Sequence, residues 1–402
     1  MLDNYIPDNF GIDMSFKPDI AIIGAGIAGT AIAAHLALSR KVQLIEMEGQ
    51  PGYHSTGRSA AVFSEAYGNE TVRALTRASR PFFYCPPPGF APFPLVTPRR
   101  VLLTARPGQE RALDSFAGLL REAGHIEHLS VKEALLLCPV LRAENLSGAA
   151  LSTSPADIDV HQLQHGYLRL FRSRGGVATM GAAILDLESD AQGWRIKTAI
   201  GEVRAPIVIN AAGAWAGEIG LLAGAKDIGL QPLKRTVCLI EPPVGHDTSA
   251  WPMLLNVAED FYLKPDAGML LLSPADETLI PPCDAQADEL DVAIAVDRLE
   301  QATSLDVRRI ARKWAGLRSF VADRSPVVGF DGGRRGFFWL AALGGYGIQT
   351  APALSRLAAD LVLEKGASTD AGEWGIDLAR LSPGRLTSEA RPRIRGRNGT
   401  PS

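Results

Sequence analysis

Gly24-Ala25-Gly26-Ile27-Ala28-Gly29 is the first group of residues whose types and spacing can do chemistry. Glycine at the three fixed positions permits a tight turn at Gly24, close approach of a ligand to the backbone at Gly26, and close helix–strand contact at Gly29. A helix opening at Ile27 and Ala28 offers unpaired N–H groups and a partial positive charge to phosphates. Taken alone the pattern is weak; its setting strengthens it. Asp19–Ile23 reads as a strand, Ala28–Ser39 as a helix, and Val42–Glu46 as a second strand that ends in an acid. Glu46 is placed to accept from ribose hydroxyls. The segment therefore predicts a βαβ unit that binds a dinucleotide.

The residues after the acid separate the possible cofactors. Glu48 to Ala61 is a small, hydroxyl-rich loop that includes Ser55, Thr56, Arg58, Ser59 and Ala60. It suits a long cofactor stretched past the sheet edge, with ribityl and pyrophosphate oxygens to bind. A nicotinamide enzyme would move directly to another βα unit. A second glycine turn, Gly344-Gly345-Tyr346-Gly347-Ile348-Gln349-Thr350, stands between the apolar strand Phe337–Ala342 and the helix Ala351–Glu364. Glycine there lets the backbone approach a flat ring, and the helix start behind it can stabilise negative charge.

Other chemistries find little support. The histidines form no plausible metal set; His161 and His165 are spaced i, i+4 but lack the rest of a zinc motif. No G-x-S-x-G elbow is present. Cys85, Cys138, Cys238 and Cys283 are too scattered for a zinc site or a disulfide framework, so reduced thiols in a cytoplasmic protein are expected. The 402 residues carry a net charge of −3, which gives no reason to expect nucleic acid as a partner. The apolar stretch Ile20–Leu38 is broken by three glycines and His35, and reads as strand–turn–helix instead of an integral membrane span.

Further elements must position these groups. Cys85–Pro98 is proline-rich and reads as a boundary or lid-like loop. Glu110–Ala123, Val131–Leu137, Asp157–Arg172 (capped at Asp157 or Asp159) and Leu290–Ile310 read as helices. Gly176–Lys197, Val203–Asn210 and Gln231–Leu272 alternate in the manner of strands. The fold class expected is α/β (α+β): a Rossmann-type FAD-binding domain on a mostly parallel sheet, and a substrate domain on a mixed or antiparallel sheet. The expected division is 18–84, 146–228 and 325–384 for the first domain, 85–145 and 229–324 for the second, and flexible termini at 1–17 and 385–402.

Several longer segments resemble the D-amino acid oxidase superfamily of FAD-dependent oxidoreductases, and within it the D-arginine dehydrogenase-like branch. They are Pro51–Ala61, Asn210–Trp215, Phe261–Gly268, Trp314–Phe320 and Gly344–Thr350, in the family's order over roughly residues 18–383. The resemblance implies non-covalent FAD, since Ser319–Phe330 contains no cysteine to attach it. Ala212 and Gly213 line the cofactor channel by this likeness, Ala183 meets the adenine, and Gly344–Thr350 packs under the isoalloxazine. Arg318, with Tyr262 and Arg235, grips a substrate carboxylate, as a planar two-donor guanidinium suits. A backbone carbonyl at Gly344 or Gly345 accepts from the amine. His54 either faces the substrate or is a hydrogen-bonded spacer; Tyr346 either flanks the ring or packs.

The implied reaction is hydride transfer from Cα of a D-amino acid to flavin N5, giving a 2-oxo acid and ammonia, with a quinone or other non-oxygen electron acceptor. The alternatives are a 2-hydroxy acid dehydrogenase and an oxygen-using oxidase of glycine or D-amino acids. The branch places an acid just after the proline-rich loop, where this chain reads Gly89-Phe90-Ala91-Pro92-Phe93-Pro94. The expectation is therefore an apolar side-chain pocket lined by Phe90, Phe93 and Met253 instead of one for D-arginine.

Overall fold

The computed structural model describes residues 15–123, 126–364 and 369–386. The N-terminal arm up to residue 14 and the arginine-rich tail from residue 387 lie outside the described residues.

The first sheet has the strand order Val327–Phe330, Phe337–Ala341, Ile207–Asn210, Ile20–Ile23, Val42–Ile45, Val177–Thr179. All its pairings are parallel except that of Val327–Phe330 with Phe337–Ala341. Strands buried on both faces read as near-continuous apolar runs, as IAII and FFWLA do. Ile20, Ile22, Val42, Leu44, Ile209 and Leu340 face one core. There they meet the helices Ile27–Leu36, Glu70–Tyr84, Val160–Ser173 and Gly347–Val362. Ala21, Ile23, Val208, Phe337 and Trp339 face a second core, closed by a three-stranded antiparallel sheet over Ile184–Ala205.

The second sheet is mixed. Gln231–Ile240 pairs antiparallel with Ile310–Phe320 on one edge and with Met269–Ser273 on the other. Tyr262–Asp266, Met253–Asn256, Val101–Ala105, Gly148–Ser152 and Ile126–Leu129 continue the sheet. The helix Glu289–Ala302 covers its back over an apolar core of Leu254, Leu263, Leu272 and Leu299. Its front faces the cofactor motifs.

Local sequence explains the helix ends. The Asp159 carboxylate accepts from the Gln162 N–H at 2.8 Å, so Asp159 caps Val160–Ser173 and Asp157 does not. Asn69 caps Glu70–Tyr84 in the same way, accepting from the Val72 N–H at 3.0 Å.

Several expectations need correction. The helix expected over Leu290–Ile310 ends at Ala302, and Ile310 opens the strand that carries Arg318. Gly148–Ser152, assigned to the first domain, pairs with Val101–Ala105 in the second sheet instead. Arg385, expected in a flexible tail, is held by Asp323 at 2.7 Å and by backbone carbonyls. The proline-rich loop folds back on the Val160–Ser173 helix: the Arg169 guanidinium donates to the Phe90 carbonyl, and the Phe93 N–H donates to Gln162. Phe90 is thereby buried against Phe82 and Tyr167, and Phe93 is exposed. Neither lines a substrate pocket. Met253 packs in the cluster of Val237, Tyr262 and Leu271.

Candidate active site

Two adjoining clefts lie where the sheets meet. They share Gly26, Ser55, Thr56, Ala211, Gly213 and Ala214, so they form one continuous space. The first holds Arg235, Tyr262, Arg318 and Gly344 on its walls; the second holds Glu46, Ala183, Ala212 and Trp215.

The glycine turn between Ile23 and Ile27 is built by contact. Gly24 has φ +102°, and a Cβ there would lie 2.5 Å from the Ala211 carbonyl oxygen; a Cβ on Gly29 would lie 1.8 Å from that of Gly24. Neither position admits a side chain. At Gly26 a Cβ would meet only the Thr56 hydroxyl, at 3.3 Å, and the residue opens onto both clefts. The open side of Gly26 is therefore reserved for a ligand. Ile27 donates its N–H to Thr56 Oγ1 at 3.0 Å, which holds the loop against the helix start. Ala28 also lines the first cleft.

Glu46 is buried at the floor of the second cleft. It accepts from the N–H groups of Ala25 at 2.6 Å and Glu48 at 3.0 Å. Burial pushes its carboxyl pKa up, while those two N–H groups pull it down. A ribose diol offers the hydroxyl donors that such a carboxylate accepts.

The cofactor loop is tied to the substrate strand. Ser55 donates to the Leu317 carbonyl at 2.6 Å, the Arg58 guanidinium donates to those of Ala285 and Ala315, and Trp314 Nε1 donates to that of Arg58 at 3.1 Å. Asp284 pairs with Arg58 at the rim. Ser59 and Ala60 line the first cleft just beyond.

Register brings the two cleft arginines together. Across the Gln231–Ile240 and Ile310–Phe320 pair, Leu233 stands opposite Arg318 and Arg235 opposite Gly316. Period-two alternation then puts Arg235 and Arg318 on the same face, diagonal to one another, with Gly316 leaving room between them. Tyr262 joins them from a neighbouring strand. The cleft's ionisable lining residues are Arg58, Arg235, Tyr262 and Arg318: three cations, one phenol, and neither carboxylate nor imidazole.

Arg318 donates to the Tyr67 hydroxyl at 3.3 Å, and among the described residues it makes no ion pair. Asp323, the acid nearest in sequence, is engaged by Arg385 instead. Burial works against the Arg318 charge, but the oxygens of Tyr67, Tyr262 and Tyr346 hold its pKa above the usual arginine range. Arg235 donates through Nε to the Asp276 carbonyl at 2.8 Å; burial, then the neighbouring Arg318, depress its pKa.

The C-terminal turn closes the cleft. Gly344 has φ +55°, and a Cβ there would lie 2.2 Å from the Phe320 ring. Gly344, Gly345, Gly347 and Ile348 all line the cleft, at the uncapped start of the Gly347–Val362 helix. Tyr346 turns away and packs edge-on against Tyr67 and Phe320; burial pushes its pKa up to about 12. Gln349 and Thr350, expected as cofactor ligands, have their side chains elsewhere. Gln349 bridges Ser64 and Thr76, and the Thr350 hydroxyl donates to the Tyr346 carbonyl.

His54 sits in the second cleft, not beside Arg318. Its Nε2 lies 2.8 Å from Glu48 Oε1, and its ring packs on Trp215 at 4.5 Å. The spacer alternative fits this placement. Tyr67 was missed: it stands in Ser64–Gly68, which carries no pattern of its own. Its only signal was a phenol just after the cofactor loop.

Fold and clefts together define a dinucleotide-binding type of protein whose second wall carries cations. Residues 19–361 match the family model DAO, FAD dependent oxidoreductase, and the chain belongs to that family. Glycine oxidase of Geobacillus kaustophilus is 26% identical over 390 residues, spanning 92% of this chain and 97% of that one. Its crystal structure superposes with a TM-score of 0.78 at 23% identity, covering 93% and 99% of the two chains. Dimethylglycine dehydrogenase of Mus musculus is 26% identical over 272 residues, 62% of this chain and 30% of that protein. L-alpha-glycerophosphate oxidase of Mycoplasma pneumoniae, solved with FAD bound, has a TM-score of 0.75 at 18% identity, covering 86% and 95%. The cofactor is FAD, and the residues present fit it: the bare backbone at Gly26 would admit the pyrophosphate, Glu46 would accept from the ribose, and the Gly344–Gly347 turn would lie against the ring.

Proposed function

We propose that this FAD-dependent oxidoreductase deaminates a D-amino acid to its 2-oxo acid and ammonia, passing electrons to a quinone or another non-oxygen acceptor. The observation that carries the reading is Arg318, a charged guanidinium on the cleft wall with no carboxylate among the described residues to neutralise it. A substrate carboxylate supplies the missing partner, and such a charge-assisted contact is worth about 1.5–3 kcal/mol. The relatives named glycine oxidase and dimethylglycine dehydrogenase support an amine beside that carboxylate. The D configuration and the acceptor rest on the resemblance of the motifs.

FAD, when bound, accepts the hydride from Cα. The chain's own residues hold the substrate for it. Arg318 and Arg235 donate to the carboxylate, the Tyr262 hydroxyl adds a third donor, and the Gly344 or Gly345 carbonyl accepts from the amine. Since neither carboxylate nor imidazole lines the cleft, the amine must arrive neutral, as hydride transfer requires. Water then hydrolyses the imine. No cysteine lines either cleft, which supports non-covalent FAD. The division into cofactor and substrate domains, with Gly148–Ser152 moved to the second, follows the two sheets. We place the protein in the cytoplasm because its four cysteines are all unpaired thiols. No described helix is long and apolar enough to cross a membrane.

Anaerobic titration with D- and L-amino acids and 2-hydroxy acids, following loss of the flavin band, tests the reading. Bleaching by D-amino acids is expected. Bleaching by 2-hydroxy acids alone would replace the amine with a hydroxyl; that this fold is shared with a structure named L-alpha-glycerophosphate oxidase keeps this second reading in the test.

A further inference from the structure

We propose that Arg324, which lies outside the cleft, is a positioning residue: it draws the Glu277 carboxylate away from Arg235 and so leaves Arg235 free for a substrate carboxylate. The inference rests on the carboxylate-gripping role given to the cleft above. Glu277 is buried, with 5% of its side chain exposed, and lies within reach of two guanidinium groups. Both compete for the same oxygen. Arg324 Nη2 reaches Glu277 Oε1 at 2.7 Å and its Nη1 reaches Oε2 at 3.1 Å, a two-pronged contact. Arg235 Nη2 comes only to 3.4 Å from Oε1. The forked, shorter contact is the stronger one.

Arg324 is built for this task at some cost. It holds φ +57°, the left-handed region that side chains avoid, and its guanidinium stacks 3.8 Å over the Phe320 ring. That conformation turns it inward to Glu277. Arg235, for its part, is anchored without Glu277, because its Nε donates to the Asp276 carbonyl at 2.8 Å. Arg235 faces the cleft; Arg324 and Glu277 do not line it. Without Arg324, the buried carboxylate would turn toward Arg235, the other guanidinium within its reach, and occupy the N–H groups that the substrate needs.

The arrangement predicts that a second substitution restores what the first removes. The test uses FAD-loaded protein and pyruvate as the carboxylate probe, titrated by the change it causes in the flavin absorbance band. Arg324→Met keeps the packing on Phe320 and removes the charge. It should weaken pyruvate about tenfold and raise KM for the amino acid in parallel, with kcat changed by less than about threefold, the loss of roughly one charge-assisted contact. The double variant Arg324→Met/Glu277→Gln should return to within about threefold of the parent. A double variant as weak as R324M, or an R324M that binds pyruvate like the parent, overturns the proposal. If R324M loses FAD, Glu277→Gln alone decides: it should bind pyruvate at least as tightly as the parent, and tenfold weaker binding overturns the proposal. Arg318→Gln is the control. If R318Q binds pyruvate normally, the carboxylate grip itself is wrong; if R318Q fails to bind while R324M is unaffected, only the role of Arg324 falls.

Discussion

At the scale of single residues the cleft is an arrangement of hydrogen-bond donors. Arg318→Gln removes a cation that makes no ion pair among the described residues, and kcat/KM should fall about 100-fold while FAD stays bound, the upper range of one charged contact. Steady-state kinetics beside the flavin spectrum checks both halves. Tyr262→Phe removes a neutral donor and should cost about fivefold, mainly in KM. Arg318 and Tyr262 were marked in the sequence by the motifs Trp314–Phe320 and Phe261–Gly268, and Arg235, outside any such motif, by position alone; all three line the first cleft. His54 was misleading for a physical reason: it stands in a cofactor motif, but the loop bends between His54 and Arg58, so neighbours in sequence face different clefts. Glu277 and Arg324 were invisible, since their meaning lies in a contact across 47 residues.

At the scale of elements, glycines at three spacings do different work, and substitutions should separate them. Gly29→Ala drives a methyl into the Gly24 carbonyl, so the turn cannot close; soluble yield and thermal stability should both fall. The Cβ of Gly26→Val meets only the Thr56 hydroxyl of the protein, at a position that opens onto both clefts. The substitution should leave a folded protein that purifies colourless, with near-native circular dichroism as the check. The βαβ unit and the C-terminal strand–turn–helix were readable from period and punctuation. The strand Ile310–Phe320 was not seen as a strand. Its first residues alternate weakly, and its pairing with Gln231–Ile240 depends on a chain segment far away. The proline-rich loop is irregular as read only as far as Leu95, since Val96–Pro98 forms a short strand on Ala156–Ile158; its apolar side chains were assigned to the wrong core, because a loop's destination is set by tertiary contacts such as Arg169 to the Phe90 carbonyl.

At the scale of the whole molecule, helices and sheet share a core beside which lies a titratable group with no use in the site. His35 lies among the helices, near Tyr167, and burial, then Arg356 and Arg174, lower its pKa to about 4. Its unfolded value is 6.5, so the unfolded chain takes up the proton first. The stability it confers is complete above pH 6.5 and is lost as pH falls toward 4, by up to about 3 kcal/mol. Thermal melts across that range should show a steeper decline for the parent than for His35→Gln; parallel curves would remove His35 from the account.

The ties from Ser55 to Leu317 and from Arg58 to Ala315 have one more consequence. A nucleotide lying along residues 55–60 steadies the same backbone from which the acid receptor hangs. The two bindings should therefore be coupled, each strengthening the other. Calorimetry should register weaker pyruvate binding to the flavin-stripped chain than to the chain whose yellow colour has been restored.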